Sequence, residues 1–173
     1  MCYLTDSGPI ELSRDHFLVG EDGWGDATEG DYENSTVRLN DFIKIKDFGR
    51  VDPISWPRLL QQEGAESANR LRLKLNLLPD SARKVLVLTH VPPFRESCWY
   101  EGKTTDDSWA PFFVCGPVGK LLEQFALEHP EVETTVLCGH THHAGTAQMM
   151  PNLIVHTAAA EYGAPRVERV IEV

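Results

Sequence analysis

Two apolar runs that each end in histidine constrain this chain more than any other feature. The first is Val85-Leu86-Val87-Leu88-Thr89, followed by His90. The second is Thr134-Thr135-Val136-Leu137-Cys138, followed by Gly139-His140-Thr141-His142. Short continuous apolar runs of this kind read as buried strands. A helix between them is long enough for a parallel crossover, which would make the strands neighbours. In open α/β sheets ligands collect beyond the carboxyl ends of the strands, where His90, His140 and His142 fall.

The rest of the chain supports an α/β reading. His16-Phe-Leu-Val-Gly20 reads as a short strand. The following stretch, 21–31, is rich in Gly and Asp and reads as loop. Residues 35–46 fit helix or strand. Pro57 suits a first helical turn, and Leu60, Gly64, Ala68, Leu71, Leu75 and Leu78 recur on one helical face, ended by Pro79-Asp80. The segment from Val91 to Cys115 carries Phe94, Trp99, Tyr100, Trp109, Phe112 and Phe113 among prolines and reads as loop. Gly116-Pro117 opens a second helix that Pro130 closes. Strands are predicted at 134–138, 153–157 and 167–173. No repeat or linker interrupts this order, so residues 1–173 read as a single α/β domain.

Composition excludes several functions. A chain of 173 residues is long enough to bury roughly 70% of its unfolded surface. Twenty-six acidic against 16 basic residues give a formal charge of −10, with no basic stripe to neutralise phosphates, which argues against nucleic acid and anionic membranes. No apolar stretch approaches the ~20 residues of a membrane span. The N-terminus lacks the basic and apolar regions of a signal peptide. Cys2, Cys98, Cys115 and Cys138 are scattered, which predicts free thiols and a cytoplasmic location. Cys138 reads as a small buried hydrophobe.

Neutral imidazole is a common ligand for Zn, Mn, Fe and Ni. In His140-x-His142 both side chains can project to one side of a turn, and Gly139 lets the backbone bend and pack closely. His90, His140 and His142 are therefore the candidate metal ligands. His143 would point the other way. His156 reads as a hydrogen-bonded core histidine, and His16 and His129 carry no signal. Asp22, Asp26 and Asp31 read as solvated turn residues, although carboxylates suit hard cations. The aromatic segment after His90 reads either as a lip over the site or as a loop packed on its own rings. Arg95 is placed to contact an anionic group.

Thr89-His90-Val91-Pro92-Pro93 and Gly139-His140-Thr141-His142 resemble the last two motifs of the calcineurin-like metallophosphoesterases. The run Leu18-Val19-Gly20 with Gly23-Trp24 resembles the strand and loop that follow that family's Asn-His motif. The resemblance implies the C-terminal part of a metallophosphoesterase-type β-sandwich flanked by helices. It implies a dinuclear site that hydrolyses phosphate mono- or diesters, with His90 and His140 on one divalent ion and His142 on the other. The ions would be Mn, Fe, Zn or Ni, and the partner a phosphorylated substrate. The family's earlier Asp-x-His, Gly-Asp and Asn-His-Asp motifs do not precede His90, so the chain is expected to start after them. One ion or none, and little activity alone, are then expected. An exposed sheet edge or face would favour a homo-oligomer, or completion by an N-terminal fragment. The alternative is a non-catalytic binding or oligomer-completing module. The HxHxDH signature of metallo-β-lactamase-like hydrolases is not matched, since His143-Ala144-Gly145 follow His142. The resemblance identifies no catalytic or substrate-binding side chain.

Overall fold

A computed structural model describes residues 2–172. Its main feature is a six-stranded sheet in the order β1-β2-β3-β6-β8-β7. The strands are β1 (Ile10–Ser13), β2 (His16–Glu21), β3 (Lys84–Thr89), β6 (Glu133–Cys138), β7 (Gly145–Met150) and β8 (Leu153–Thr157). The four central strands β2, β3, β6 and β8 are parallel, and β1 and β7 run antiparallel at the two edges. A small hairpin, β4 (Trp99–Tyr100) with β5 (Lys103–Thr104), lies in the long segment after His90. The architecture is mixed α/β, a six-stranded sheet flanked by helices.

Two helices make the crossovers. Between β2 and β3 runs α2 (Trp56–Leu75), with α1 (Asp41–Lys44) before it. Between β3 and β6 runs α4 (Gly116–Glu128), with α3 (Ala110–Phe113) before it. Leu71 and Leu75 of α2 and Leu121, Leu122 and Phe125 of α4 pack on Val19, Val85, Val87, Val136 and Val155. Strand residues alternate between faces, so this set occupies one face of the sheet. Truncating a fully buried leucine such as Leu71 or Leu122 typically costs about 2–5 kcal/mol.

A buried ion cluster fastens α2 to the carboxyl end of β2. The fully buried Glu21 carboxylate accepts from Arg70 Nη2 at 2.8 Å and lies 3.4 Å from Lys74 Nζ. Lys74 also donates to the carbonyls of Leu4, Thr5 and Gly20, at 2.8, 2.7 and 2.5 Å. With several oxygens around it, the lysine charge is satisfied where burial would otherwise penalise it. The N-terminal turn Leu4–Asp6 is thereby tied to the sheet.

A second core orders the irregular stretch after β2. Val37, Phe42, Phe48, Leu60 and Phe112 cluster there. Phe42 stacks on Trp56 with centroids 4.4 Å apart and meets Phe112 edge-on at 5.8 Å. The ambiguous 35–46 segment resolves into the short helix α1 within this cluster.

Three expectations are corrected. The tail 167–172 forms no strand among the described residues, and residue 173 lies outside them. Its apolar residues Val167, Val170 and Ile171 pair with no neighbouring strand. The strands β1 and β7 were not expected; both are edge strands with weak apolar patterning. Asp26 is not solvated. It is 0% exposed and accepts from the Thr28 hydroxyl at 2.8–2.9 Å and from the Gly116 backbone N–H at 3.2 Å. Gly116 is the first residue of α4, so the carboxylate satisfies an otherwise unpaired N-terminal donor. The Asp26 side chain also packs against Gly64 of α2, where no Cβ would fit.

Among the described residues no helix is long and apolar enough to cross a membrane. The four cysteines are free, and three of them, Cys98, Cys115 and Cys138, are buried.

Burial raises the Asp26 carboxyl above its usual range, against the lowering effect of its hydrogen bonds. The folded state therefore holds the Asp26 proton more tightly than the unfolded chain. The stability linked to it is present below the ordinary aspartate value of about 4 and is lost as pH rises through the raised value. Urea denaturation of wild type and Asp26→Asn across pH checks this. The stability of wild type relative to the variant is expected to fall as pH rises above about 4. A flat or rising difference would contradict it.

Candidate metal centre

Parallel pairing sets the site at one end of the sheet. Glu21 pairs with Thr89 across β2 and β3, and Leu88 with Leu137 across β3 and β6. The next residues continue the ladder. The His90 N–H donates to the Asp22 carbonyl at 2.8 Å, and the Gly139 N–H donates to the His90 carbonyl at 3.0 Å. Asp22, His90 and the Gly139–His142 turn therefore sit side by side beyond three neighbouring strand ends.

His90 and His140 meet. His140 Nδ1 lies 3.1 Å from His90 Nε2, with ring centroids 4.8 Å apart. Phe113 packs on the His140 ring at 4.5 Å, and Trp24 is 6.1 Å away. Burial lowers the His140 pKa to about 4, with the neighbouring His90 adding to the effect. Burial also lowers His90, opposed by the nearby Asp22 carboxylate and reinforced by His142. Both rings are thus held neutral near pH 7, the form that ligates a metal.

His142 does not join this pair. Its ring packs on Tyr162 at 4.6 Å. Among the described residues no three His, Cys, Asp or Glu side chains converge in a way that could hold an ion. The structure thus brings two of the three candidate ligands together. Asp22, whose side chain accepts the Tyr3 hydroxyl, is the carboxylate acting on His90. Strand register could have found it, since it follows Glu21 as His90 follows Thr89.

The turn is strained at its histidines. His140 and His142 adopt left-handed backbone conformations, with φ of 67° and 61°. This conformation disfavours side chains with a Cβ and persists where surrounding structure enforces it, often at functional sites. Gly139, expected to provide the bend, is not in the left-handed region, and a Cβ there would meet nothing closer than the His90 carbonyl at 4.0 Å. The turn is closed instead by the Thr141 N–H donating to the Gly139 carbonyl at 2.8 Å. Ala158 and Ala160 donate to the carbonyls of Cys138 and His142 at 2.8 and 3.2 Å.

Other candidates take structural places. His143 points to the hairpin, accepting from the Glu101 N–H at 3.3 Å and packing on Tyr100. His156 lies half-buried and hydrogen-bonds Thr146 at 2.9 Å. Arg95 pairs with Asp107 at 2.5 Å and donates to the Thr105 carbonyl, so its charge is already engaged. Phe113 and Tyr100 pack directly on His140 and His143, while Trp109 reaches the turn only through Phe113 at 5.7 Å. Of the two alternatives for the aromatic segment, packing on its own rings is seen at Trp109 and Phe113, and Phe113 also lies against His140.

Replacing His142 by glycine tests the strain. Relief of the left-handed backbone is expected to raise stability by up to about 1 kcal/mol, read as a higher urea midpoint at unchanged slope. A loss of stability would mean that the Tyr162 contact outweighs the strain.

No family model matches the chain, and no curated protein matches it. Among solved structures it is similar to a dimetal phosphatase from Danio rerio (LOC 393393), at 15% sequence identity and a TM-score of 0.48. The similarity covers 87% of this chain and 48% of that one, so the chain spans about half the length of the structure it matches.

Proposed function

We propose that this chain carries the histidine half of a phosphoester-hydrolase metal centre, and that alone it binds one divalent ion weakly and turns over little substrate. The observation that carries this reading is the 3.1 Å approach of His140 Nδ1 to His90 Nε2 at adjoining parallel strand ends. Two imidazole nitrogens bound to one ion at about 2.1 Å, in tetrahedral or octahedral array, lie roughly 3.0–3.4 Å apart. The pair therefore fits a single Mn, Fe, Zn or Ni ion. The neutral state of both rings and the strain held in the turn support the same reading.

A dinuclear centre does not fit the described residues. Two close cations repel unless a carboxylate bridges them, and no third ligand converges on the pair. His142, which the motif assigns to a second ion, would have to leave Tyr162 and find further ligands. A bound divalent ion supplies Lewis acidity toward a phosphoryl oxygen. The chain's own residues fix the pair. The backbone ladder sets the two histidines, Phe113 and Trp24 hold the His140 ring, and Asp22 moderates the charge at His90. A phosphorylated compound is the proposed substrate, and the four free thiols support a reducing compartment such as the cytoplasm.

The second reading is a non-catalytic, oligomer-completing module. The uncovered sheet face described below favours it.

Two assays on the purified chain test the proposal. With Mn, Zn or Fe added, hydrolysis of p-nitrophenyl phosphate and bis(p-nitrophenyl) phosphate is expected to stay at the level of the free metal. Robust turnover that His90→Ala abolishes would overturn the half-site reading. Calorimetric titration with inorganic phosphate is expected to show binding only when metal is present, and none in His140→Ala. Metal-loaded protein that ignores phosphate would count against phosphoester chemistry.

A further inference from the structure

The central sheet is apolar on both faces but packed on only one. The helices cover the face of Val85, Val87, Val136 and Val155. On the opposite face the same four parallel strands present Leu18, Leu86, Leu88, Thr135, Leu137, Ile154 and His156. None of these is fully buried, and Leu88 is 42% exposed. Parallel sheets are covered on both faces almost without exception, because their strands are apolar on both sides.

What lies over this face does not fill it. The tail crosses it at Val167, Glu168, Arg169 and Ile171, leaving a cavity of about 580 Å³ against Leu88, Leu137 and His156. Val167 and Val170 remain 80% and 81% exposed. The chain as a whole exposes 10141 Å². A folded monomer of 19.4 kDa is expected to expose about 8,500 Å². The excess of roughly 1,600 Å² is about twice the ~800 Å² that each partner buries in a standard interface.

We infer that the open face of the sheet is a dimer interface and that its occupant is the same face of a second copy of this chain. Two such faces stack as in a β-sandwich, about 10 Å apart and slightly rotated. An isologous contact requires a self-complementary patch, and this one qualifies. The strands' own outward side chains at its centre include no Asp, Glu, Lys or Arg, so the sheets themselves oppose no like charges there, while the tail lays Glu168 and Arg169 beside it. At its amino edge Lys84 and Glu133 stand side by side on adjacent strands and both face outward. A two-fold axis running between β3 and β6 along the strands places Lys84 of one copy over Glu133 of the other. For the sheets to meet, the tails must leave the face they cross and lie along the sides of the interface, where their exposed valines gain apolar cover.

Sedimentation velocity of the full chain, from low to high micromolar concentration, tests this. Wild type is expected to run as a discrete dimer. Leu88→Asp places a charge in the centre of the face and is expected to weaken the dimer by more than about tenfold in Kd. Leu127→Asp, on the exposed side of α4, is expected to leave it unchanged. Circular dichroism checks that both variants keep the fold. A wild type that stays monomeric at every concentration would overturn the inference. So would polydisperse aggregation, or a dimer that survives Leu88→Asp.

Discussion

Two backbone hydrogen bonds carry the site. One runs from the His90 N–H to the Asp22 carbonyl, the other from the Gly139 N–H to the His90 carbonyl. Each extends a parallel ladder one step past the end of its strand. Together they bring three loops, separated by long stretches of chain, into one row at the carboxyl edge. Without them His90 and His140 would be two exposed loop histidines. With them the two ring nitrogens sit 3.1 Å apart, His140 half-buried and His90 at the surface. The ladder in turn depends on the packing of α2 and α4 against Val85, Val87 and Val136, which fixes strand register. The carboxyl end of β2 needs the added anchor of Glu21, Arg70 and Lys74.

On the proposed reading, the same sheet explains why the centre is partial. The edge row supplies histidines, with the Asp22 carboxylate, engaged by Tyr3, acting on His90 and the Asp41 carboxylate acting on His140. One face is packed and the other is not. Both features support the proposed reading of a surface that more protein meets. The metal-site reading and the interface reading thus rest on separate observations, ring geometry for one and uncovered apolar strands for the other. Either can stand if the other falls.

Much of this was legible in the sequence. Continuous apolar runs gave the parallel strands, and the 60–75 periodicity gave α2. Of the histidines at two strand ends, His90 and His140 come together. The departures have physical causes. Edge strands β1 and β7 are half-exposed and carry little apolar pattern. The tail 167–172 has the alternation of a strand, but strand formation needs a partner edge, which periodicity alone cannot reveal. Asp26 looked solvated because Gly and Asp surround it; its burial follows from α4 beginning beside it, a long-range fact. His140 and His142 take up the left-handed conformations that a reader would assign to Gly139. His142 packs instead on Tyr162, a contact with an irregular tail that spacing does not reveal.

The central claim is that His90 and His140 together hold one ion and that no second ion is held beside it. Metal content per chain, by elemental analysis after equilibrium dialysis against Mn, Zn or Fe, tests it most directly when wild type, His90→Ala and His140→Ala are compared. At most one weakly held ion per wild-type chain is expected, lost in both variants. Two tightly held ions, or an ion indifferent to both substitutions, would contradict it.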